Sequence, residues 1–186
     1  MASRRAGTDL HFSDEERRVL KELAKSSIER VLFGKEEEFP EVPAGLKKKM
    51  GAFVCLKTKG DLKGCIGAIR GQMPLDETVR RMAVEAAFHD PRFMPLSDVE
   101  WKSTDVEISV LTPMKRIRDI GEIEVGLHGL YIERGIDAGL LLPQVATENG
   151  WDRKTFLEYT CMKAGLPRDA WQSRETEIYV FSADVF

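Results

Sequence analysis

The sequence has few residues of the two types that most often bind metals or form cross-links. Its 186 residues include three cysteines, Cys55, Cys65 and Cys161, and three histidines. The cysteines are odd in number and widely spaced, and no Cys-x-x-Cys pair occurs. This pattern predicts neither a disulfide framework nor a structural zinc site. We therefore expect no bound metal.

An excess of basic residues is also lacking. Lysine and arginine number 28 against 31 aspartate and glutamate residues, which gives a formal net charge of −3 and a pI of about 5.7. Nucleic-acid binding normally begins with a basic patch on the protein. The composition therefore gives nucleic acid only weak support as a ligand.

Long apolar runs are absent as well. No segment approaches the length that spans a bilayer, and Arg4 and Arg5 are not followed by the apolar part of a secretory signal. We therefore expect a soluble, cytoplasmic protein with no membrane association. With 42% hydrophobic and 32% charged residues, the chain is long enough to bury one core. We predict a single domain over residues 1–186, with a loose leader at residues 1–12 and a small lobe within the domain.

Several common catalytic signatures are missing from the chain. There is no Gly-x-Gly-x-x-Gly, no P-loop, no His-Glu-x-x-His and no Gly-x-Ser-x-Gly. These absences exclude the usual dinucleotide, nucleotide, zinc-protease and serine-hydrolase sites. The sequence therefore does not identify a cofactor, and the cofactor is unknown.

Helical and strand patterns interleave along the chain. Ser13 opens a capping-box pattern and Gly34 ends the apolar stripe that follows it, which predicts a helix between them. A second helical pattern covers residues 75–87, and residues 129–142 read as a hairpin. No regular βαβ repeat occurs. This order favours an α+β fold with a mainly antiparallel sheet and flanking helices.

The stretch at residues 62–70 is the most unusual part of the sequence. Gly64 and Gly67 bracket Cys65 inside an apolar run, and glycine in such a run marks a bulge or a close approach of another group to the backbone. The segment follows a turn signal, so we predict the second arm of a hairpin. If Ile66 faces the core, Cys65 points outward. Cys65 is then either a functional thiol or a small packing residue in a kinked strand.

A functional thiol needs a cation to stabilise its thiolate and a base to accept its proton. Lys63 and Arg70 are the neighbouring cations, and His128 and His89 are the candidate bases. We rank His128 first, with Cys65 and His128 as the candidate catalytic residues. The alternative for either histidine is a capping or loop role at the end of an element.

Five further residues are candidate binding residues, together with Lys63, Gly64 and Gly67. Asp90 and Arg92 are spaced to pair with each other, with backbone groups or with an anionic ligand. Glu107 and Ser109 share one face of a predicted strand, where they either line a cleft or form an ordinary exposed surface. Glu148 either faces the same cleft or is a solvated loop residue.

Residues 62–67, Leu-Lys-Gly-Cys-Ile-Gly, resemble the Leu-Arg-Gly-Cys-Ile-Gly signature of the AMMECR domain family. The resemblance continues in the same order through four more blocks and covers about residues 50–186; the blocks are residues 86–93, 107–112, 126–130 and 142–151. It implies a two-lobed α+β fold with a cleft near the Gly-Cys-Ile-Gly stretch. Lys63 departs from the signature, because lysine keeps the charge of arginine but lacks its planar fork.

The resemblance leaves three functions open. The first is a cleft-based enzyme or enzyme component that uses Cys65. Members of the family occur fused to, or encoded beside, Memo-like proteins and radical S-adenosylmethionine enzymes, which implies such proteins as partners and a pathway linked to them. The second is a non-catalytic module that binds a substrate or a partner protein. The third is an RNA-modification-associated protein, which the acidic balance disfavours. The small-molecule substrate is unknown.

Overall fold

A computed structural model describes residue 10, residues 12–35 and residues 40–186. Apart from Leu10 and Phe12, the predicted leader lies outside the described residues. The chain divides by its internal contacts into two compact units. We call the described residues between 12 and 111, together with residues 184–186, the first unit, and residues 112–183 the second unit. The expectation of a single domain stays a prediction.

The described residues form five α-helices and eight strands, joined by turns and short 3₁₀ segments. The helices are α1 (Asp14–Phe33), α2 (Leu75–Phe88), α3 (Asp98–Trp101), α4 (Pro143–Glu148) and α5 (Arg153–Lys163). The strands are β1 (Gly51–Thr58), β2 (Asp61–Ala68), β3 (Thr104–Leu111), β4 (Lys115–Ile117), β5 (Gly129–Arg134), β6 (Asp137–Leu141), β7 (Glu177–Phe181) and β8 (Ala183–Val185).

The sheet of the first unit has the strand order β2-β1-β3-β8. Its inner face is apolar, because Val54 and Leu56 of β1 and Ile108 and Val110 of β3 are all fully buried. Helices α1 and α2 pack together and contact this sheet. Strand β1 pairs antiparallel with both β2 and β3, which confirms the predicted hairpin at β1 and β2.

The ends of the helices in the first unit follow the signals in the sequence. Ser13 and Glu16 form a reciprocal capping box at the start of α1, and Gly34 ends the helix with a left-handed φ of 64°. Ser97 and Glu100 form the same capping box at α3. The capping box predicted at Ser13 is confirmed.

The sheet of the second unit has the order β4-β7-β5-β6, again with antiparallel pairs. The predicted hairpin at residues 129–142 is confirmed as β5 and β6. The core of the second unit is built around Phe156 and Leu157 of α5, which pack with Leu130 and Ile132 of β5. The short strand β4 was not predicted, since only Ile117 of its three residues is buried.

The architecture is α+β with antiparallel sheets and flanking helices, as predicted. The strand pairs β1–β2, β1–β3, β4–β7, β5–β6 and β5–β7 are all antiparallel. No parallel βαβ unit occurs among the described residues. None of the helices described is both long and apolar enough to cross a membrane.

Candidate functional site

Cys65 lies on the outer face of the hairpin formed by β1 and β2. In the register of this hairpin, Cys55 is opposite Cys65 and Leu56 is opposite Gly64. Successive residues of a strand point to opposite faces. Because Leu56 is fully buried on the inner face, both cysteines lie on the outer face, where each is half-buried. The predicted outward orientation of Cys65 is confirmed.

A β-bulge at Lys63 sets this register. Lys57 is opposite Leu62, but the next residue of β1, Leu56, is opposite Gly64. Lys63 is therefore an extra residue in β2 without a partner position in β1. The bulge lies immediately before the glycine that the sequence marked as irregular.

The two opposed cysteines form a disulfide bond. The expectation that the chain has no disulfide framework is therefore wrong for this pair, although Cys161 is buried and free. Ten positions separate Cys55 from Cys65 in the sequence, and their Cα atoms are 4.1 Å apart in the hairpin. The pairing follows from the strand register, which spacing along the chain does not reveal. Burial raises the pKa of the Cys161 thiol.

Asp90 and Arg92 hold the backbone of Cys65 at the outer edge of β2. The Cys65 N–H donates to Asp90 Oδ2 at 2.9 Å, and the Cys65 carbonyl accepts from Arg92 Nη2 at 3.0 Å. Since these groups bond away from β1, Cys55 and Cys65 form a non-hydrogen-bonded pair of the ladder. Such pairs bring Cα atoms to about 4.5 Å and side chains into closest contact. The ion pair thus fixes the geometry in which the two sulfur atoms meet.

The ion pair itself is bidentate and partly buried. Arg92 donates from Nε to Asp90 Oδ1 at 2.9 Å and from Nη2 to Oδ2 at 2.6 Å, and its backbone N–H also bonds Oδ1. Asp90 is 5% exposed, whereas the Arg92 side chain is 53% exposed. The hydrogen bonds from Arg92 hold the pKa of Asp90 well below its usual range, against the opposing effect of burial. The sequence left open whether Asp90 and Arg92 pair with each other, with backbone groups or with an anionic ligand. The structure shows that they pair with each other and with the backbone of Cys65.

The two glycines around Cys65 make room for groups of the protein itself. A Cβ atom at Gly64 would collide with the carbonyl of Ala86 in α2, and one at Gly67 would collide with the ring of Phe53. The expected close approach to the backbone is confirmed. The approaching groups are a helix and an aromatic ring of the same unit. A ligand-binding role for Gly64 and Gly67 stays a prediction.

The charge of Lys63 is engaged by α3. Lys63 Nζ lies 2.6 Å from Glu100 Oε1. This hydrogen bond, with a second from Ser97, lowers the pKa of Glu100 to about 2. The expected stabilisation of a Cys65 thiolate by Lys63 is therefore not supported. The cation that contacts Cys65 is Arg92, through the carbonyl.

Strand β3 extends the row of outer-face residues beyond the cysteines. Glu107 is opposite Cys55, so the row reads Cys65, Cys55 and Glu107 across β2, β1 and β3. The Glu107 carboxylate pairs with Lys57 Nζ at 2.9 Å. Ser109, two residues on, is only 2% exposed and offers no hydroxyl to solvent. Its role in binding stays a prediction.

The remaining candidates, His128 and Glu148, belong to the second unit. His128 is buried, and its Nδ1 accepts a hydrogen bond from the Glu124 N–H at 3.1 Å. A neutral His128 therefore carries its ring proton on Nε2. Its role as a general base stays a prediction, which this hydrogen bond does not favour. Glu148 is exposed at the end of α4. His89 is the C-cap of α2 and pairs with Glu85, which agrees with the capping role given above as the alternative for this histidine.

Comparison with known proteins places this geometry in a family. The sequence profile of AMMECR1 matches residues 21–186. The chain belongs to the AMMECR1 family. A protein of Nanoarchaeum equitans is 42% identical over 90% of this chain and 97% of its own length. A protein of Aquifex aeolicus is 44% identical over 91% of both chains.

A solved structure shares the AMMECR1 fold. The crystal structure of an uncharacterised protein from Pyrococcus horikoshii matches with a TM-score of 0.86 and 42% sequence identity, over 94% of this chain and 92% of that chain. The resemblance to the AMMECR family that the signature stretch carries is therefore confirmed.

A cavity of about 470 Å³ lies between the end of β2 and α2 in this AMMECR1-family chain. It is lined by the second half of β2, beginning at Ile66, and by residues of α2 that include Arg81 and Glu85. Cys65 is not among the described residues that line the cavity. The lining residue nearest to it in sequence is Ile66.

Sequence reasoning missed two residues of this AMMECR1-family site. Cys55 is the partner of Cys65, and Glu100 is the partner of Lys63. A predicted second arm implies a first arm before the turn, but a strand pattern gives no register between the two.

Proposed function

We propose that the protein carries out thiol–disulfide exchange at Cys55 and Cys65. The observation that carries this proposal is the direct opposition of two half-buried cysteines on the outer face of an edge hairpin. A pair in this position can open and close with little backbone movement, because the strands stay hydrogen bonded on both sides of it. The proposal keeps Cys65 as the reacting residue of an enzyme or enzyme component.

The exchange reaction is a two-electron transfer from a dithiol. A thiolate of the dithiol attacks the Cys65 sulfur, a new S–S bond forms, and the bond to Cys55 breaks to release the Cys55 thiolate. The second thiol of the dithiol then displaces Cys65 from the mixed disulfide. The dithiol leaves as a disulfide, and the two protons it gives up are taken by Cys55 and Cys65. The reverse sequence oxidises the protein.

The arrangement of charges supports attack at Cys65. An attacking thiolate approaches a sulfur in line with the bond that breaks. Attack on Cys55 comes from the side of β3, where Glu107 is opposite and its ion pair with Lys57 leaves no net positive charge to attract an anion. Attack on Cys65 comes from the outer edge of β2, where the half-exposed Arg92 guanidinium lies. We therefore expect the mixed disulfide at Cys65.

A purely structural disulfide is the alternative. By chain entropy alone, a cross-link closing a loop of about ten residues stabilises a fold by up to about 3 kcal/mol. A structural bond of this kind resists reduction until the chain unfolds. A redox-active bond opens while the fold persists. The two roles thus differ in whether reduction and unfolding coincide.

Equilibration in glutathione buffers tests the proposal. The protein is held at graded ratios of reduced to oxidised glutathione, trapped with iodoacetamide and digested for mass spectrometry, while circular dichroism follows the fold. We expect Cys55 and Cys65 to become labelled together, as one two-electron couple, with the fold intact. Cys161 serves as the internal control and should remain unlabelled, because it is buried.

Two matched variants test the direction of attack. With oxidised glutathione, Cys55→Ser should accumulate a glutathione adduct at Cys65 faster than Cys65→Ser accumulates one at Cys55. Equal rates would contradict the role given to Glu107 and Arg92. Reduction that occurs only together with unfolding would overturn the redox function and leave a structural disulfide.

Binding of a partner protein is a second candidate function. Three apolar side chains of the first unit are exposed: Met94 at 78%, Val99 at 70% and Leu62 at 44%. Val99 precedes Glu100, which bonds the bulged Lys63 next to Leu62. The family resemblance implies a Memo-like protein or a radical S-adenosylmethionine enzyme as the partner. A stoichiometric complex that survives Cys65→Ala but not Met94→Asp would support this function. RNA binding has no support in a net charge of −3.

A further inference from the structure

The second unit contains a pocket with an unusual number of arginines. Its volume is about 440 Å³, within the range of about 300–1,000 Å³ typical of small-molecule sites. It lies between the segment that contains β4 and the segment that leads into β7. We call it the arginine pocket; its polar lining residues are Arg116, Arg118, Asp119, Trp171, Gln172, Ser173, Arg174, Thr176 and Glu177.

Two of the three guanidinium groups are available to a ligand. Arg116 is paired with Glu177 at 2.7 Å. Neither Arg118 nor Arg174 forms a salt bridge with any of the residues at 10, 12–35 and 40–186. Asp119, the other carboxylate of the lining, accepts the Gly121 N–H at 2.7 Å to cap a 3₁₀ turn. The lining thus carries one net positive charge, with two exposed arginines at the rim.

Two polar atoms in the walls have no hydrogen-bond partner. The Trp171 indole nitrogen and the Thr176 hydroxyl are both inaccessible to solvent, and neither bonds to another described residue. Thr176 as a whole is 9% exposed. Buried polar groups are almost always hydrogen bonded, and an indole N–H can be satisfied only by an acceptor. An oxygen atom of a bound ligand supplies such an acceptor.

The donor set favours a phosphate group over a carboxylate. One guanidinium fork saturates the two oxygens of a carboxylate. A phosphate monoester has three terminal oxygens and up to two charges, which matches two guanidinium groups together with hydroxyl donors. Ser173 adds a hydroxyl, whose oxygen already accepts the Glu175 N–H.

The size and apolar walls of the pocket indicate that the ligand has an organic part. A bare phosphate ion would leave most of the 440 Å³ unfilled. Ile117, Ile120 and Ile178 are also in the lining and offer apolar contact. We propose that the arginine pocket binds a small organic molecule that carries a phosphate group, with Arg118 and Arg174 holding the phosphate. This site is independent of the thiol–disulfide function.

Titration of the protein with phenyl phosphate tests the proposal, with the indole N–H resonance of Trp171 as the readout. Phenyl phosphate should shift this resonance in a saturable way, with a Kd in the millimolar range or lower. Arg118→Gln and Arg174→Gln should each weaken binding by about tenfold, since each removes one charge-assisted contact. Arg168→Gln is the matched control, because Arg168 lies over the Tyr159 ring, outside the pocket lining. It should bind with unchanged affinity.

Benzoate, inorganic phosphate and a short RNA complete the experiment. Equal affinity for benzoate and phenyl phosphate would overturn the preference for phosphate. Equal affinity for inorganic phosphate would overturn the organic part of the ligand. Tighter binding of the RNA through the same two arginines would overturn the small-molecule proposal and show that the pocket binds nucleic acid. Absence of any saturable shift would overturn the site. Because the arginines are exposed, the variants should fold normally, which circular dichroism checks.

Discussion

Replacing Asp90 by asparagine tests how strongly the Asp90–Arg92 ion pair stabilises the first unit. The substitution keeps the shape of the side chain but removes its charge and turns one acceptor into a donor. It weakens the bonds from the Cys65 N–H and from the Arg92 side chain and backbone. The neighbouring backbone of β2 then loses its anchor at the sheet edge.

The expected loss is about 2–3 kcal/mol in the free energy of unfolding. Hydrogen bonds to charged groups contribute about 1.5–3 kcal/mol, and breaking a fully buried pair costs about 3–5 kcal/mol. The expected loss lies below the range for a fully buried pair, because the Arg92 guanidinium is half-exposed and water can solvate it once the pair is broken. Glu107→Gln is the matched control, since its ion pair with Lys57 is exposed on both sides and should contribute less than about 1 kcal/mol.

The loss should also depend on pH in a defined direction. The folded-state pKa of Asp90 lies below its unfolded value, which is about 3.9 for aspartate. The ion pair therefore contributes fully above the unfolded pKa, and its contribution is lost as the pH falls toward the folded pKa. The difference in the free energy of unfolding between wild type and Asp90→Asn should be largest at neutral pH and should become smaller below about pH 4.

Urea unfolding at several pH values, combined with hydrogen exchange at the Cys65 amide, measures both effects. The amide should exchange faster in Asp90→Asn than in Glu107→Gln. If Asp90→Asn costs no more than Glu107→Gln at neutral pH, or costs the same at acid pH as at neutral pH, the ion pair does not have the role assigned to it.

Three further substitutions have defined outcomes. Gly64→Ala places a methyl group against the Ala86 carbonyl and should destabilise the fold by about 1–3 kcal/mol or more in thermal unfolding; wild-type stability would show that α2 can move aside. Lys63→Met should raise the pKa of Glu100 from about 2 toward its ordinary value near 4.3, as followed by carboxyl NMR titration; an unchanged pKa would transfer the effect to the capping box. Ser13→Ala should cost about 1 kcal/mol, since it removes the N-cap of α1, and a silent variant would contradict the capping role.

The face of Cys65 was predictable from the sequence, whereas its partner was not. The two-residue period of a strand fixes Cys65 on the outer face once Ile66 is placed inward. The partner depends on register, which depends on the bulge. If Lys63 were paired regularly instead of bulged, it would lie opposite Leu56, and Cys55 would lie opposite Gly64. The bulge at this one residue therefore decides whether the disulfide can form.

Contacts between distant segments account for the other differences. Local signals identified both ends of α1, because capping residues act within one turn of the chain. The bond from the Cys65 N–H to Asp90 crosses 25 positions, and that from Lys63 to Glu100 crosses 37. Spacing could pair Asp90 with Arg92 but could not show which backbone the pair holds.

The placement of the ion pair also affects whether another chain can pair with the edge of the sheet. β2 is an edge strand of eight residues with a largely apolar and glycine-rich second half, which is the kind of strand to which another chain can add. Midway along it, Asp90 and Arg92 occupy the outward N–H and carbonyl of Cys65, and the bulge at Lys63 interrupts the regular spacing just before. An incoming strand thus finds its central hydrogen-bonding positions already taken. The same two side chains that position the cysteine also protect the sheet against aggregation.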